Sequence, residues 1–285
     1  GRSDAGDWIY SFDADGAPAD PRSDLYTQAF VIFGLAEAGR ALGRADFIAA
    51  AKATCERLES DWADPSGGFF DGAFSSHPGR QNPHMHLLEA FLALHAATGE
   101  AADLARAEHM AQLFMDRLLT APGYIPEAFD AGWRLIAAGG AAPGHQFEWA
   151  WLLDRLRRAG GADRSATAGA LAAYGERYGV DKDGFAVDEI WSDGAVKSPE
   201  ARLWPQTERL KAALMRLGDD GTVPTAVHQS AAALNAYLDV ARPGTWRDVR
   251  RADGGGWSQG PSPASSAYHI VSALQVLIET ARAHG

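Results

Sequence analysis

The sequence predicts an all-α fold, a closed α/α toroid of helical hairpins. Three observations carry that prediction: a sixty-residue period, an alternation of two kinds of helix, and a Gly- and aromatic-rich loop after each second helix. Five polar or Pro-marked turns run into strongly apolar stretches, starting near residues 23, 82, 144, 204 and 263. Their spacing is about 60 residues each time, the mark of a repeated supersecondary unit. The 285 residues, 46% hydrophobic, suffice for a sizeable core.

The elements follow in order. The turns are Ser23-Asp24-Leu25-Tyr26, Gln81-Asn82-Pro83-His84, Pro143-Gly144-His145-Gln146, Leu203-Trp204-Pro205-Gln206 and Ser262-Pro263-Ala264-Ser265. Proline suits a first helical turn, where its missing N–H would have no partner anyway. The helices they open are apolar nearly all round, as in Phe30-Val31-Ile32-Phe33 and Phe147-Glu148-Trp149-Ala150-Trp151-Leu152-Leu153. Such helices are buried on most sides. The second helices have one wet face. Ile48, Ala51, Cys55, Leu58 and Trp62 recur at helical spacing with Lys52, Glu56 and Glu59 opposite. Leu104, Ala107, Ala111, Phe114 and Leu118 repeat the pattern, and Leu171, Tyr174 and Tyr178 mark a shorter version. Asp7–Tyr10, Gly67–Phe70, Gly123–Pro126, Gly184–Val187 and Gly255–Trp257 read as short extended segments. An open superhelical stack is the alternative, but solenoid repeats are usually shorter, roughly 34–47 residues.

Composition removes other classes. No apolar run approaches the roughly 20 residues of a spanning helix, and no secretory signal is visible. The single Cys55 cannot form an internal disulfide, which fits a reducing cytoplasm. The net charge of −11, without a Lys/Arg cluster, disfavours nucleic acid and anionic membranes. P-loop and dinucleotide-binding signatures are absent.

In a toroid the inner helices run the same way, and the polar residues sit on their opening turns. Asn82 and His86 are i, i+4; His145 and Glu148 are i, i+3; Trp204 and Glu208 are i, i+4. His269 opens the last helix after Tyr268. Free N–H groups at helix N-termini suit an anionic ligand or intermediate. Each residue also has a plainer reading. His145 and Glu148 would make a surface pair, His86 a satisfied core histidine, and Trp204 a core aromatic. His95, His109, His228 and His284 read as structural or surface residues, and His77 as undecided. A metal is not expected. His84 and His86 point to different helix faces, and His145-x-x-Glu148 lacks the second histidine of an H-x-x-E-H motif. A site assembled from His86, His145, Glu148 and His269 on separate helices stays open. Asp24, Glu148 and Glu208 are the carboxylates a glycoside hydrolase would draw on.

Arg80–Ala90 resembles the N-x-x-M-H-L-x-E-A signature of the N-acylglucosamine 2-epimerase superfamily. Pro143–Leu153 is similar to its P-G-H-x-x-E-W-x-W-L-L segment, Leu203–Glu208 to its W-P-Q-x-E stretch, and Ala267–His269 to its terminal Y-H. The match runs from about residue 7 to the C-terminus, and Pro263–His269 resembles the aldose–ketose isomerase branch most. The resemblance implies an (α/α)6 barrel acting on a reducing sugar without metal or other cofactor. It implies His145 and His269 as the acid/base pair, with Glu148 setting the tautomer of His145. Histidine, with an ordinary pKa near 6.5, takes and returns protons at neutral pH. His86, Asn82, Glu208 and Arg134 would meet the sugar, Trp204 would stack on its ring, and Tyr26 would line the mouth. The implied reaction interconverts a mannose-type aldose and its ketose through ring opening and a cis-enediol. The alternatives are a 2-epimerase, a hydrolase or lyase on the same barrel, and a non-catalytic protein-binding role. The expected partner is a small reducing sugar, with no nucleic acid or membrane, and a homodimer is the candidate assembly.

Five inner and four outer helices are nine of the twelve a sixfold toroid requires. Residues 1–285 therefore read as a single barrel domain lacking its first three helices, roughly 80–100 residues by the repeat. An inner helix bearing the family's substrate-holding arginine has no counterpart here. Such an open ring would leave apolar faces on the first and last hairpins.

Overall fold

The apolar stretches become helices with capped or Pro-marked starts, and α1 and α3 stop at the glycines Gly43 and Gly99. The computed structural model describes residues 1–72, 79–121, 123–130, 132–136, 140–217, 223–252 and 254–284; His77 lies outside them. Among the described residues the helices expected to be inner are α1 (Leu25–Leu42), α3 (Gln81–Thr98), α5 (Pro143–Arg158), α7 (Leu203–Leu214) and α9 (Ser266–His284). Those expected to be outer are α2 (Ala45–Arg57), α4 (Ala101–Leu113), α6 (Ser165–Tyr178) and α8 (Thr225–Leu238). Asp24 caps α1 by accepting the Thr27 N–H at 2.8 Å, and Gly43 ends it in the left-handed conformation that glycine adopts freely. The amphipathic stripes of α2 and α4 continue through single π-helical turns, Leu58–Trp62 and Phe114–Leu118.

The chain separates into two compact units. The first comprises Gly1–Leu119, Glu127–Ala137 and Arg155–Asp163. In it α1 packs on α2 and α3, and α3 on α4. Strands β1 (Ser11–Phe12) and β2 (Pro18–Asp20) pair antiparallel, as do β3 (Gly79–Arg80) and β4 (Ala128–Phe129). The second unit comprises Thr120–Pro126, Ala138–Asp154 and Arg164–Gly285. There α7 packs on α8, α9 and α6. Its ribbons pair β5 (Glu189–Ile190) with β6 (Val196–Ser198), and β7 (Ala201–Arg202) with β8 (Val249–Arg250). Its core gathers Leu203, Leu210, Leu234, Tyr237 and Ile270.

The expectation that every inner helix is buried on most sides holds for α3, α5 and α7 and fails for the outermost two. Pro83–Leu94 and Pro205–Leu214 are buried without a break. In α1, which packs chiefly on α2 and α3, Phe30, Val31 and Phe33 are only half-buried. In α9, which packs on α7, Val271, Leu274 and Ile278 are exposed.

A repeated device fixes the loops to the inner helices. Gln146 accepts the Ile125 N–H at 3.0 Å and donates to the Ile125 carbonyl at 3.1 Å. Gln206 treats Ala186 the same way, 2.8 Å in both directions, and Gln28 does so with Trp8 at 3.2 and 2.8 Å. A primary amide satisfies one buried peptide unit completely, as a neighbouring strand would. In α3 the place is taken by His84. Its Nε2 accepts the Phe69 N–H at 3.0 Å while Nδ1 donates to the Arg80 carbonyl at 2.8 Å. Two residues beyond each clamp stand Phe30, His86, Glu148 and Glu208.

Candidate active site

The second unit holds a relay of charged groups on α7 and α9. Glu208 is wholly buried; its Oε1 lies 2.8 Å from Nδ1 of His269 and its Oε2 2.6 Å from Nζ of Lys211. Lys211 is buried too, with its ammonium 3.8 Å from the centre of the Trp151 ring, a cation–π contact. Burial opposes ionisation of Glu208, but Lys211 and the hydrogen bond from His269 outweigh it and hold the carboxyl below its ordinary range. An ionised carboxylate only accepts hydrogen bonds, so Nδ1 of His269 carries the hydrogen in this bond.

Trp204 brings the two expected histidines to one surface. Its ring lies 4.8 Å from that of His145 and 5.5 Å from that of His269, tilted by 40° and 37°. Gly144 makes room for it, since a Cβ there would stand 2.4 Å from the indole. His145 is buried and opens α5; Glu148 follows one turn on. A carboxylate oxygen of Glu148, one of Glu208 and a ring nitrogen of His269 all lie within 4.8 Å of one another. That spacing suits a cation, yet Lys211 already brings a positive charge to Glu208, and His269 engages its other oxygen.

The first unit carries a second cluster on α1 and α3. His86, buried, has Nδ1 3.2 Å from Oε2 of the buried Glu89. Tyr26 meets the His86 ring edge-on at 5.2 Å, and Phe30 lies 4.6 Å away. Asn82, one turn earlier, has a buried Oδ1 without a hydrogen-bond partner among the described residues. An unpaired buried acceptor is costly unless a ligand donor reaches it. Arg134 stands apart on its loop, its side chain 85% exposed and 3.7 Å from Asp130. Asp24 is engaged as the α1 cap.

Sequence reasoning passed over Lys211, Trp151 and Glu89. Lys211 had a signal: it follows Glu208 by three residues, on the same helix face. Glu208, expected to meet the sugar, is hydrogen-bonded through Oε1 to His269.

The family model described as N-acylglucosamine 2-epimerase (GlcNAc 2-epimerase) matches residues 1–273. The chain belongs to that family. A mannose-6-phosphate isomerase of Rhizobium meliloti (strain 1021) is 37% identical over 280 residues, 93% of this chain and 72% of the relative. Among solved structures, a D-mannose isomerase superposes with a TM-score of 0.88 at 22% identity, covering 98% of this chain and 77% of the other. A cellobiose 2-epimerase from Bacillus thermoamylovorans B4167 gives 0.83 at 21%, covering 97% and 76%. These structures share the fold. No described helix is long and apolar enough to cross a membrane.

Proposed function

We propose that this member of the N-acylglucosamine 2-epimerase family is a sugar isomerase that interconverts a mannose-type aldose and its ketose. The carrying observation is His269, oriented by Glu208 against the same Trp204 ring that His145 touches. The relative named mannose-6-phosphate isomerase supports the choice of sugar. The family's (α/α)6 barrel belongs to the same proposal.

The reaction begins with ring opening. One histidine delivers a proton to the ring oxygen as the O1 hydroxyl is deprotonated and the C1 carbonyl forms. Nε2 of the other then takes the C2 proton, acidified by that carbonyl. The C2–H electrons form the C1–C2 double bond and the carbonyl oxygen takes up a proton, giving the cis-enediol. Return of the proton to C1, with loss of the O2 proton, yields the ketose. We assign this chemistry to His145 and His269 and give Glu148 the support of His145. Trp204 is the stacking platform, Asn82 and His86 are hydroxyl-binding residues, and Tyr26 lines the entrance. Glu208 acts through His269. Arg134 would have to turn inward on binding. No step is drawn through a metal or cofactor.

A 2-epimerase is the second reading, favoured by two imidazoles on one aromatic ring, since epimerisation needs a second group to reprotonate C2 from the opposite face. Incubation with mannose separates the two. Fructose supports the isomerase, glucose alone replaces it with the epimerase, and no turnover of mannose or mannose 6-phosphate overturns both for these sugars.

A further inference from the structure

Lys211 is one of four lysines in the chain, with Lys52, Lys182 and Lys197. The other three lie on outer elements or loops. Lys211 alone stands fully buried, in the middle of α7. Burying an ammonium is expensive unless it is paired, and here each part of the side chain is accounted for. Nζ lies 2.6 Å from Glu208 Oε2, 3.8 Å from the centre of the Trp151 ring, and 3.4 Å from Ser272 Oγ on α9. Glu208 in turn has its other oxygen on His269.

We propose that Lys211 is a positioning residue for the reaction: its fixed positive charge neutralises Glu208, so that Glu208 orients His269 without turning it into an imidazolium. The inference rests on the isomerase reading for its kinetic consequence but not for its electrostatic one.

The charges decide the matter. Among the described residues, Glu148 from α5, Glu208 from α7 and Tyr268 on its own helix stand beside His269, and Lys211 stands beside Glu208. Without Lys211, one or two buried carboxylates would find their compensating cation in His269. A protonated imidazole has no lone pair with which to accept the C2 proton. With Lys211 in place the positive charge sits on a group that takes no part in proton transfer. His269 then keeps Nδ1–H for Glu208 and Nε2 for the substrate. The Trp151 face holds the ammonium on the far oxygen, so it does not compete with His269 for Oε1.

The test is Lys211→Gln, which keeps an amide donor against Glu208 and removes only the charge. The Glu208–His269 pair should then hold its proton to higher pH, by at least about one unit, as expected for losing an opposite charge at contact distance. Two readouts report it. In the substrate-free protein, the His269 ring resonances should titrate at higher pH than in the native chain. In turnover, the acidic limb of kcat/KM should move up by the same amount, with activity recovering at alkaline pH. A merely structural lysine would lower kcat at every pH and leave the limb where it was. An unmoved His269 titration overturns the proposal whatever the enzyme's substrate. Absence of turnover in the native chain would instead strike at the isomerase reading alone. Should Lys211→Gln not fold, the native protein still decides. Nitrogen NMR of its four lysines should show Lys211 as an ammonium at neutral pH, and a neutral amine there would overturn the proposal.

Discussion

Replacing Gly144 by alanine tests whether Trp204 defines the site. The added Cβ would stand 2.4 and 2.5 Å from two atoms of the indole ring. Ordinary carbon contacts lie at about 3.5–4.0 Å, so the ring edge must move by about 1 Å or the helix must shift. The ring has little freedom to yield. His145 lies 4.8 Å away, His269 5.5 Å, and the Arg202 guanidinium is 5.6 Å from its centre. Overpacking of this kind typically costs about 1–3 kcal/mol. The functional cost is greater, because a misplacement of about 1 Å at a reacting centre lowers turnover by roughly 100-fold. Gly144→Ala should therefore fold with a slightly lowered Tm and lose about two orders of magnitude in mannose isomerisation. The assays are thermal unfolding by circular dichroism and ketose formation. A variant with native kcat/KM would refute the reasoning, since the ring would then be free to move and would not set the geometry of the two histidines.

Further expectations follow from the same geometry. Gln206→Ala leaves the buried N–H and carbonyl of Ala186 without their partner, and urea unfolding should show a loss of about 2–4 kcal/mol. Burial pushes the His84 imidazolium down despite the hydrogen bond to the Arg80 carbonyl. The folded state therefore keeps His84 neutral while the unfolded chain takes up a proton near pH 6.5, and stability falls as pH drops below that value. The slope approaches ~1.4 kcal/mol per pH unit until the folded value is reached. His84→Gln, which installs the amide used in α1, α5 and α7, should fold and lose that share of the slope. Burial also pushes the Cys55 thiol up to about 12, so a thiol reagent at pH 8 should label it only on unfolding.

Much of the fold was legible because the repeat writes itself in composition. The Pro-marked turns of α3, α5 and α7 and the wet-faced stripes of α2, α4 and α6 fall where the periodicity puts them. The π-helical turns after α2 and α4 were not legible, since Leu58–Trp62 and Phe114–Leu118 read as plain helical continuation. Glutamine clamps were missed because one amide residue per helix looks like any polar side chain; only their recurrence two residues before Glu148 and Glu208 gives them away. The candidate site residues stood out in the sequence by type and position, whereas their pairings did not. Local spacing joins His145 to Glu148, but the hydrogen bond between His269 and Glu208 spans 61 residues. Lys211 escaped notice because a buried cation is intelligible only once its anion and its aromatic neighbour are placed around it.

The central claim is that His145 and His269 pass the C2 proton of a mannose-type sugar. Incubating mannose with the protein in deuterium oxide tests it most directly. The account predicts deuterium incorporation from solvent at the carbon that accepts the returning proton, abolished in His269→Asn. Turnover with that exchange left intact in His269→Asn, or no exchange with any aldose or ketose offered, would contradict it.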